Sequence, residues 1–287
     1  MHSTRRAWML PLALLALPGR SLAQDGEKEA SPSAEGPAHD KGDLARQTQN
    51  PGAALLSVPF QLNFNGDIGP DDRTQTLLNI QPVLPVEFSE HYSLITRWIL
   101  PLMAQPDVTD ATETTWGVGD LNPQLFLAAN YAPWTLGLGV SMILPTATTA
   151  SLGQGKLSVG PAVLAVFSEG DWVVGALATF AASVAGNPDR EDVRLTTVQP
   201  FINFNLPDGA YLVTAPLLTH EAETDQTTVP LGGGVGKLFV LGKTPVNFNV
   251  QAYGNVEHPD GGPTWQMRMV AQFLFPQPAG GKAAQRN

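Results

Sequence analysis

The sequence predicts an all-β protein, a transmembrane antiparallel up-and-down β-barrel of about 12 strands. Three observations carry that reading. Apolar and polar side chains alternate with period two from Leu55 to Phe275, the connections alternate long and short, and the polar faces hold too many amides and charges for a dry core. Composition removes several other classes. Only 15% of the 287 residues are charged, against about 25% in ordinary soluble domains. With 16 Lys plus Arg against 26 Asp plus Glu, no basic cluster exists to grip nucleic acid. Cysteine is absent, which excludes disulfides, thiolate metal sites and a cysteine nucleophile.

The chain begins with Arg5 and Arg6, an apolar run from Ala7 to Leu17, and Ser21-Leu22-Ala23 as a small-x-small cleavage site. Residues 1–23 thus read as a secretory signal peptide, with twin-arginine export through Thr4-Arg5-Arg6 as the alternative to general secretion. No stretch reaches the roughly 20 apolar residues of a transmembrane helix. Losing three Arg and no acid leaves 13 bases against 26 acids, a charge of −13. Residues 24–51, with one Leu and no aromatic, read as a disordered periplasmic leader in which His39 is solvated. The barrel is expected over 52–276, and 277–287 as a flexible tail.

Leu56, Val58, Phe60, Leu62 and Phe64 share one face of the first strand, and Ser57, Gln61, Asn63 and Asn65 the other. Trp134 to Leu144, Val246 to Tyr253 and Trp265 to Phe275 repeat the alternation. Segmentation gives strands near 55–65, 74–88, 92–104, 116–129, 133–146, 155–168, 171–185, 193–206, 210–219, 227–241, 245–254 and 264–275. The connections between them alternate from the first: 66–73 is long, 89–91 short, 105–115 long, 130–132 short, and so on to 255–263. Outer-membrane barrels keep this layout, with tight periplasmic turns and longer outer loops. Ile80-Gln81-Pro82, Leu121-Asn122-Pro123, Val159-Gly160-Pro161 and Val198-Gln199-Pro200 recur in successive even-numbered strands. They are expected to be bulges at one barrel height, since proline cannot donate to a ladder.

In lipid the apolar face turns outward and the polar face lines the lumen. Asn63, Gln81, Gln199, Asn203, Asn247, Asn249 and Gln251 are the expected polar lining, and Glu87, Arg97, Asp120, Lys156 and Arg268 the inward charges expected to set selectivity. Mutual pairing that merely satisfies the lumen, such as Glu87 with Arg97, is the alternative role for those charges. Gly175, Ala181 and Ser183 are small inner residues that leave open volume. Folding the last hairpin places Arg268 opposite Gln251 and Gln272 opposite Asn247. Tyr92, Trp98, Trp134, Trp172, Trp265 and Phe275 are candidates for interface girdles.

The segment VPLGGGVGKLFVLGKTPVNFNVQAYGNVEHPDGGPTWQMRMVAQFLFP from Val229, with WGVGDLNPQLFLA at 116–128, resembles a family of bacterial outer-membrane barrels. That family is described as transporters, is related to a phenol-degradation (MetA) pathway barrel, and is sometimes mislabelled neuromedin U. The resemblance covers most of residues 50–276 and implies a barrel associated with small hydrophobic or aromatic compounds. Phe275 matches the terminal aromatic of barrel proteins, although a tail follows it here.

Enzyme chemistry has little to stand on. Gly153-Gln154-Gly155-Lys156-Leu157 lacks the first Gly and the Ser or Thr of a phosphate loop, and Gly232 to Gly236 lies in a strand with no helix after it. Ser141, Ser183 and His220 have no spacing that ties them into a hydrolase site. His220 with Glu221 and Glu223, and Glu257 with His258 and Asp260, read as solvated acidic loops rather than metal sites. No cofactor and no enzyme activity are expected. The outer loops, from Asp67, Asp71 and Asp72 through Asp107, Asp110 and Glu113 to Glu257 and Asp260, form an acidic rim. The expected protein is a monomer in the outer membrane of a Gram-negative bacterium, in contact with lipid and lipopolysaccharide, that binds or passes a small solute through a narrow lumen; a closed, non-conducting barrel is the alternative.

Overall fold

The segments that alternate in the sequence run as β-strand, those over 74–88, 116–129 and 210–219 with interruptions at 81–82, 119–121 and 215–217, in the computed structural model, which describes residues 46–51, 55–107, 112–242 and 244–275. The signal peptide, most of the leader and the 277–287 tail lie outside the described residues. The strands are β1 (Leu56–Ile68), β2 (Arg73–Ile80), β3 (Val83–Glu87), β4 (Tyr92–Pro106), β5 (Thr114–Val118), β6 (Asn122–Tyr131), β7 (Trp134–Ile143), β8 (Lys156–Glu169), β9 (Trp172–Gly186), β10 (Arg194–Asn205), β11 (Ala210–Thr214), β12 (Leu218–Glu221), β13 (Gln226–Leu241), β14 (Thr244–Glu257) and β15 (Trp265–Phe275). β2 and β3 form one interrupted stave, as do β5 with β6 and β11 with β12, so the sheet is a closed antiparallel barrel of 12 staves. Each stave pairs with its sequence neighbours, and β1 closes the ring on β15 from Leu56↔Phe275 to Gly66↔Trp265. The predicted register of the last hairpin holds, with Gln251↔Arg268 and Asn247↔Gln272.

The prolines act differently from expectation. Ladder shifts occur at Asn65/Ile68, Leu157/Ser158 and Val229/Pro230, not at the four repeated prolines. Pro82 sits in the gap between β2 and β3, and Pro123 follows the gap before β6. Pro200 stays inside β10 but faces the gap between β11 and β12, where β10 has no partner between Val198 and Ile202. A residue without an N–H leaves its neighbour's carbonyl unpaired, and the ladder opens there instead of bulging.

Outward side chains are large and apolar: Leu136, Leu138, Leu127, Val163, Leu231 and Val235 are all exposed. At the short-turn end aromatic pairs ring the wall, with Trp134 on Phe167 (5.0 Å), Trp172 on Phe204 (4.7 Å) and Tyr92 on Tyr131 (6.1 Å). Amphipathic rings suit the boundary between acyl chains and headgroups. Trp265 lies at the opposite end, where its indole N–H donates to Asp67 (3.1 Å).

The interior is not uniformly polar. Ile95, Phe126, Leu164, Val166, Val173, Leu177 and Phe201 point inward and pack together as an apolar sector of the wall. A Cβ on Gly175 would lie 2.6 Å from the Phe201 ring, so that glycine makes room for an aromatic and leaves no open volume. Gly236 on the inner face of β13 makes room in the same way: a Cβ there would lie 2.2 Å from the Tyr211 ring. That close approach accounts for one member of the GGGVG run.

Candidate functional site

Two chambers occupy the lumen, one of about 340 Å³ toward the long loops and one of about 190 Å³ toward the short turns. Both are bordered by Gln61, Gln81, Arg97, Leu177 and Gln199, which form the layer between them. The stave interruptions help to place this layer. Gln81 bridges β2 and β3, its N–H donating to the Pro59 carbonyl (2.9 Å), while the Trp98 N–H donates to the Pro82 carbonyl (3.1 Å). Arg97 lies opposite Val83 on one side and Gln124 on the other, and its guanidinium donates to the Gln81 side-chain oxygen.

Arg268, buried on β15, reaches across two staves to the third interruption. Its Nε donates to Asn63 Oδ1 (3.2 Å), one terminal nitrogen donates to the Ala215 carbonyl (2.7 Å), and the Tyr253 ring lies 5.4 Å from the guanidinium carbon. The Ala215 N–H donates to the Tyr253 hydroxyl (2.9 Å). Backbone groups freed by the gap between β11 and β12 are thus satisfied from inside the barrel, as buried polar groups require.

Asn247, Asn249 and Gln251 line neither chamber. They form a ladder with Tyr253, which the alternation places on the same face, and with Tyr211, which it does not single out. Tyr253 donates to Gln251, Gln251 Nε2 to Asn249 Oδ1 (2.7 Å), Asn249 Nδ2 to the Tyr211 hydroxyl (3.2 Å), and Tyr211 to Asn247 Oδ1 (2.8 Å). Asn247 Nδ2 then donates to Thr48 Oγ1 (3.1 Å). Such amides hold the wall and a chain segment together rather than meeting a solute. Asn63 is likewise engaged, by Arg268 and by the Leu77 carbonyl, and Asn203 is buried near the short-turn end; Gln81 and Gln199 remain on the chambers.

Residues 46–51 enter this end of the lumen, where the sequence alone suggests disordered leader. Residues 46–49 form a helical turn. Gln49 and Asn205 exchange side-chain hydrogen bonds (2.9 and 3.2 Å), and Asn50 donates to Thr135 (3.1 Å). Gln47, Thr48, Asn50 and Pro51 border the lower chamber. The polar partners of this segment sit on β7, β10 and β14, which are distant in sequence and meet only in the closed ring.

At the other end, residues 144–155 fold inward and place buried Leu152 over the upper chamber. Asp120 holds them: Oδ1 accepts from the Ala147 N–H (3.0 Å) and Oδ2 from the Gln154 N–H (2.6 Å). Val118 and Thr148 exchange hydrogen bonds, and a Cβ on Gly117 would lie 2.2 Å from Thr148 Oγ1, so glycine is needed for the loop to seat. Arg190 donates from the neighbouring loop to the Gly153 and Gln154 carbonyls.

The expected selectivity charges therefore part company. Asp120 is a loop anchor. Lys156 pairs with Asp192 (3.0 Å), whose carboxyl is held below the usual carboxylate range by the Lys156 and Ser183 hydrogen bonds. Glu87 is exposed at the end of β3, opposite Ser93. It is four residues from Val83, the residue facing Arg97, a separation of about 13 Å along a strand that prevents their pairing. Arg97 and Arg268 stay in the lumen, and among the described residues neither has a carboxylate within ion-pair distance. Guanidinium character was legible in the sequence; the apolar sector beside it was not, although β8 and β9 carry apolar residues on both faces, which was the available signal.

The scattered candidates for other chemistry are not brought together. Ser141 accepts from Asn122, Ser183 donates to Asp192, and His220 meets Thr227 (2.9 Å). Glu221 accepts the Arg194 N–H and Glu223 pairs with the Arg194 side chain (2.8 Å). Among the described residues no three His, Asp or Glu side chains gather at a metal site.

No protein-family model matches the sequence, and no curated protein matches it. Among solved structures the chain is similar to the COG4313 outer membrane channel from Pseudomonas putida F1, with a TM-score of 0.59 and 17% identity over 77% of this chain and 94% of that one. Outer membrane phospholipase A from Escherichia coli aligns with a TM-score of 0.47 and 14% identity over 83% of this chain and 99% of that one. At these identities the comparison speaks to fold, and the fold it shares with the Pseudomonas channel is the antiparallel outer-membrane barrel that the alternation of this sequence predicts.

Proposed function

We propose that this chain is an outer-membrane channel that binds and passes a small solute with both a polar and an apolar part. The observation that carries this reading is the layer around Arg97, shared by an upper chamber where Arg268, amides and hydroxyls stand among aliphatic side chains and a lower chamber walled partly by Ile95, Phe126, Leu164 and Leu177. The similarity to a solved outer-membrane channel supports passage, and the sequence resemblance to a phenol-degradation barrel supports hydrophobic or aromatic solutes. The short turns and residues 46–51 then face the periplasm, and the acidic outer rim meets lipopolysaccharide through bridging divalent cations. The protein acts as a monomer, with no enzymatic step.

The test is reconstitution of the refolded mature chain in a planar bilayer. Discrete conductance steps, with a reversal potential moved by Arg97→Gln, are expected; insertion without steps would refute passage. A second reading, a closed barrel with a structural or surface role, is favoured by the hydrogen bonds of residues 46–50 across the lower mouth. Deleting residues 24–50 separates the two: a channel conducts more when the segment is gone, and a closed barrel stays silent.

A further inference from the structure

Resting on the lumen as solute site, we infer that its ligand class is an amphipathic anion, with its anionic head at the Arg97 guanidinium and a short apolar tail in the lower chamber. The charges point that way. Among the described residues Arg97 is the one charged side chain bordering the lower chamber, and it borders the upper chamber as well. A guanidinium has five N–H donors, and the side-chain partner of Arg97 among the described residues is Gln81 alone. In the upper chamber Arg268 adds a second cation, and the one carboxylate there among the described residues, Asp120, has each oxygen engaged by a backbone N–H of the inward loop. Among the described residues the two linings together hold two guanidiniums against one carboxylate, a single net positive charge, with Arg97 shared between the chambers. A cation enclosed by protein without a counter-charge is costly, and a bound anion offsets that cost.

The apolar half of the ligand follows from what stands next to Arg97. Ile95 precedes it by two residues on the same inner face of β4, and Phe126, Leu164 and Leu177 continue the apolar wall of the lower chamber. Glu87, the acid that would have neutralised Arg97, ends up at the exposed rim. A neutral aromatic would leave the guanidinium unpaired, and a small inorganic anion would leave the apolar wall unfilled. A carboxylate or a phosphoryl head carrying a chain of a few carbons satisfies both.

The experiment uses the refolded mature chain in phosphatidylcholine vesicles, titrated calorimetrically with octanoate, octyl phosphate, octanol and acetate against empty vesicles as baseline. Octanoate or octyl phosphate is expected to bind at least about tenfold tighter than octanol and acetate, the scale of one charge-assisted pair. Arg97→Gln should remove that preference. Equal binding of octanoate and octanol, equal binding of octanoate and acetate, or an undiminished preference in Arg97→Gln would each overturn the assignment. Should Arg97→Gln fail to fold, the four-ligand comparison on the unaltered chain decides alone. Conductance of the same preparation is scored separately: a silent barrel that prefers the anions keeps this site and loses passage, while a conducting barrel with no preference does the reverse.

Discussion

Asp192 sits in a loop yet ties two strands together, because its carboxylate accepts from Lys156 on β8 and Ser183 on β9. Hydrogen bonding to the charged form lowers its pKa. The stability it contributes is therefore complete above the ordinary carboxylate value of 3.8 and is lost as pH falls through the lower value of the folded state. Thermal midpoints of the wild type and Asp192→Asn should differ by a constant amount from neutral pH down to about 5 and converge only in strong acid. Curves that coincide at neutral pH would show that Asp192 holds nothing, and an offset that persists undiminished into strong acid would show that its ionised form is not what ties the strands. Asp120 makes a comparable case, with a different readout. Asp120→Ala leaves the Ala147 and Gln154 amides without their acceptor, at a cost of about 1–3 kcal/mol each, and should release residues 144–155 from the upper chamber. Larger conductance steps are expected in that variant, and identical steps would mean the loop stays seated without it.

Staves respond to substitution according to the face that is changed. Leu138 lies midway along β7 and points outward, so Leu138→Arg should weaken folding into lipid vesicles by about 2–4 kcal/mol, the cost of a cation at the bilayer midplane. A negligible change in denaturant titration would place that face in water. The interrupted stave behaves otherwise. Arg268→Gln shortens the reach to the Ala215 carbonyl and should cost about 1.5–3 kcal/mol, the range for hydrogen bonds to charged groups. Strand positions and the pairing of Arg268 with Gln251 were legible in the sequence because alternation and turn spacing are local properties. The third interruption was less so: Ala215-Pro216-Leu217 lies in the stretch that reads as one strand over 210–219, and its gap is stabilised by Arg268, Tyr253 and Gln199 from elsewhere in the chain. The same limit applies to Asn247 and Asn249. Their polarity was evident, but alternation cannot tell an amide that meets a solute from one that meets Tyr211.

At the scale of the whole molecule, the two ends of the lumen are narrowed by different parts of the chain. Residues 144–155 cover one end, anchored by Asp120 and Arg190, and residues 46–51 the other, anchored by Asn205, Asn247 and Thr135. Deletion of 24–50 should open only the second; the two restrictions lie in series, so the fall in resistance is expected to add to that of Asp120→Ala, and a double variant no more conductive than either single one would mean a single restriction controls flow. The absence of helix signals in the sequence leaves only the leader or a folded-in loop to act as a plug, but which of their residues seat in the lumen was not legible, since a polar loop shows no period and its partners lie far away.

The seat of residues 46–50 has a consequence for the order of events during assembly. Gln49 meets a residue 156 positions away, Thr48 one 199 away and Asn50 one 85 away, on three different staves. Until β1 has zipped onto β15 those staves have no fixed positions relative to one another, so this short segment has nowhere to go. It is the last piece to arrive, and protection of its amides from hydrogen exchange is a clock that starts when the seam shuts.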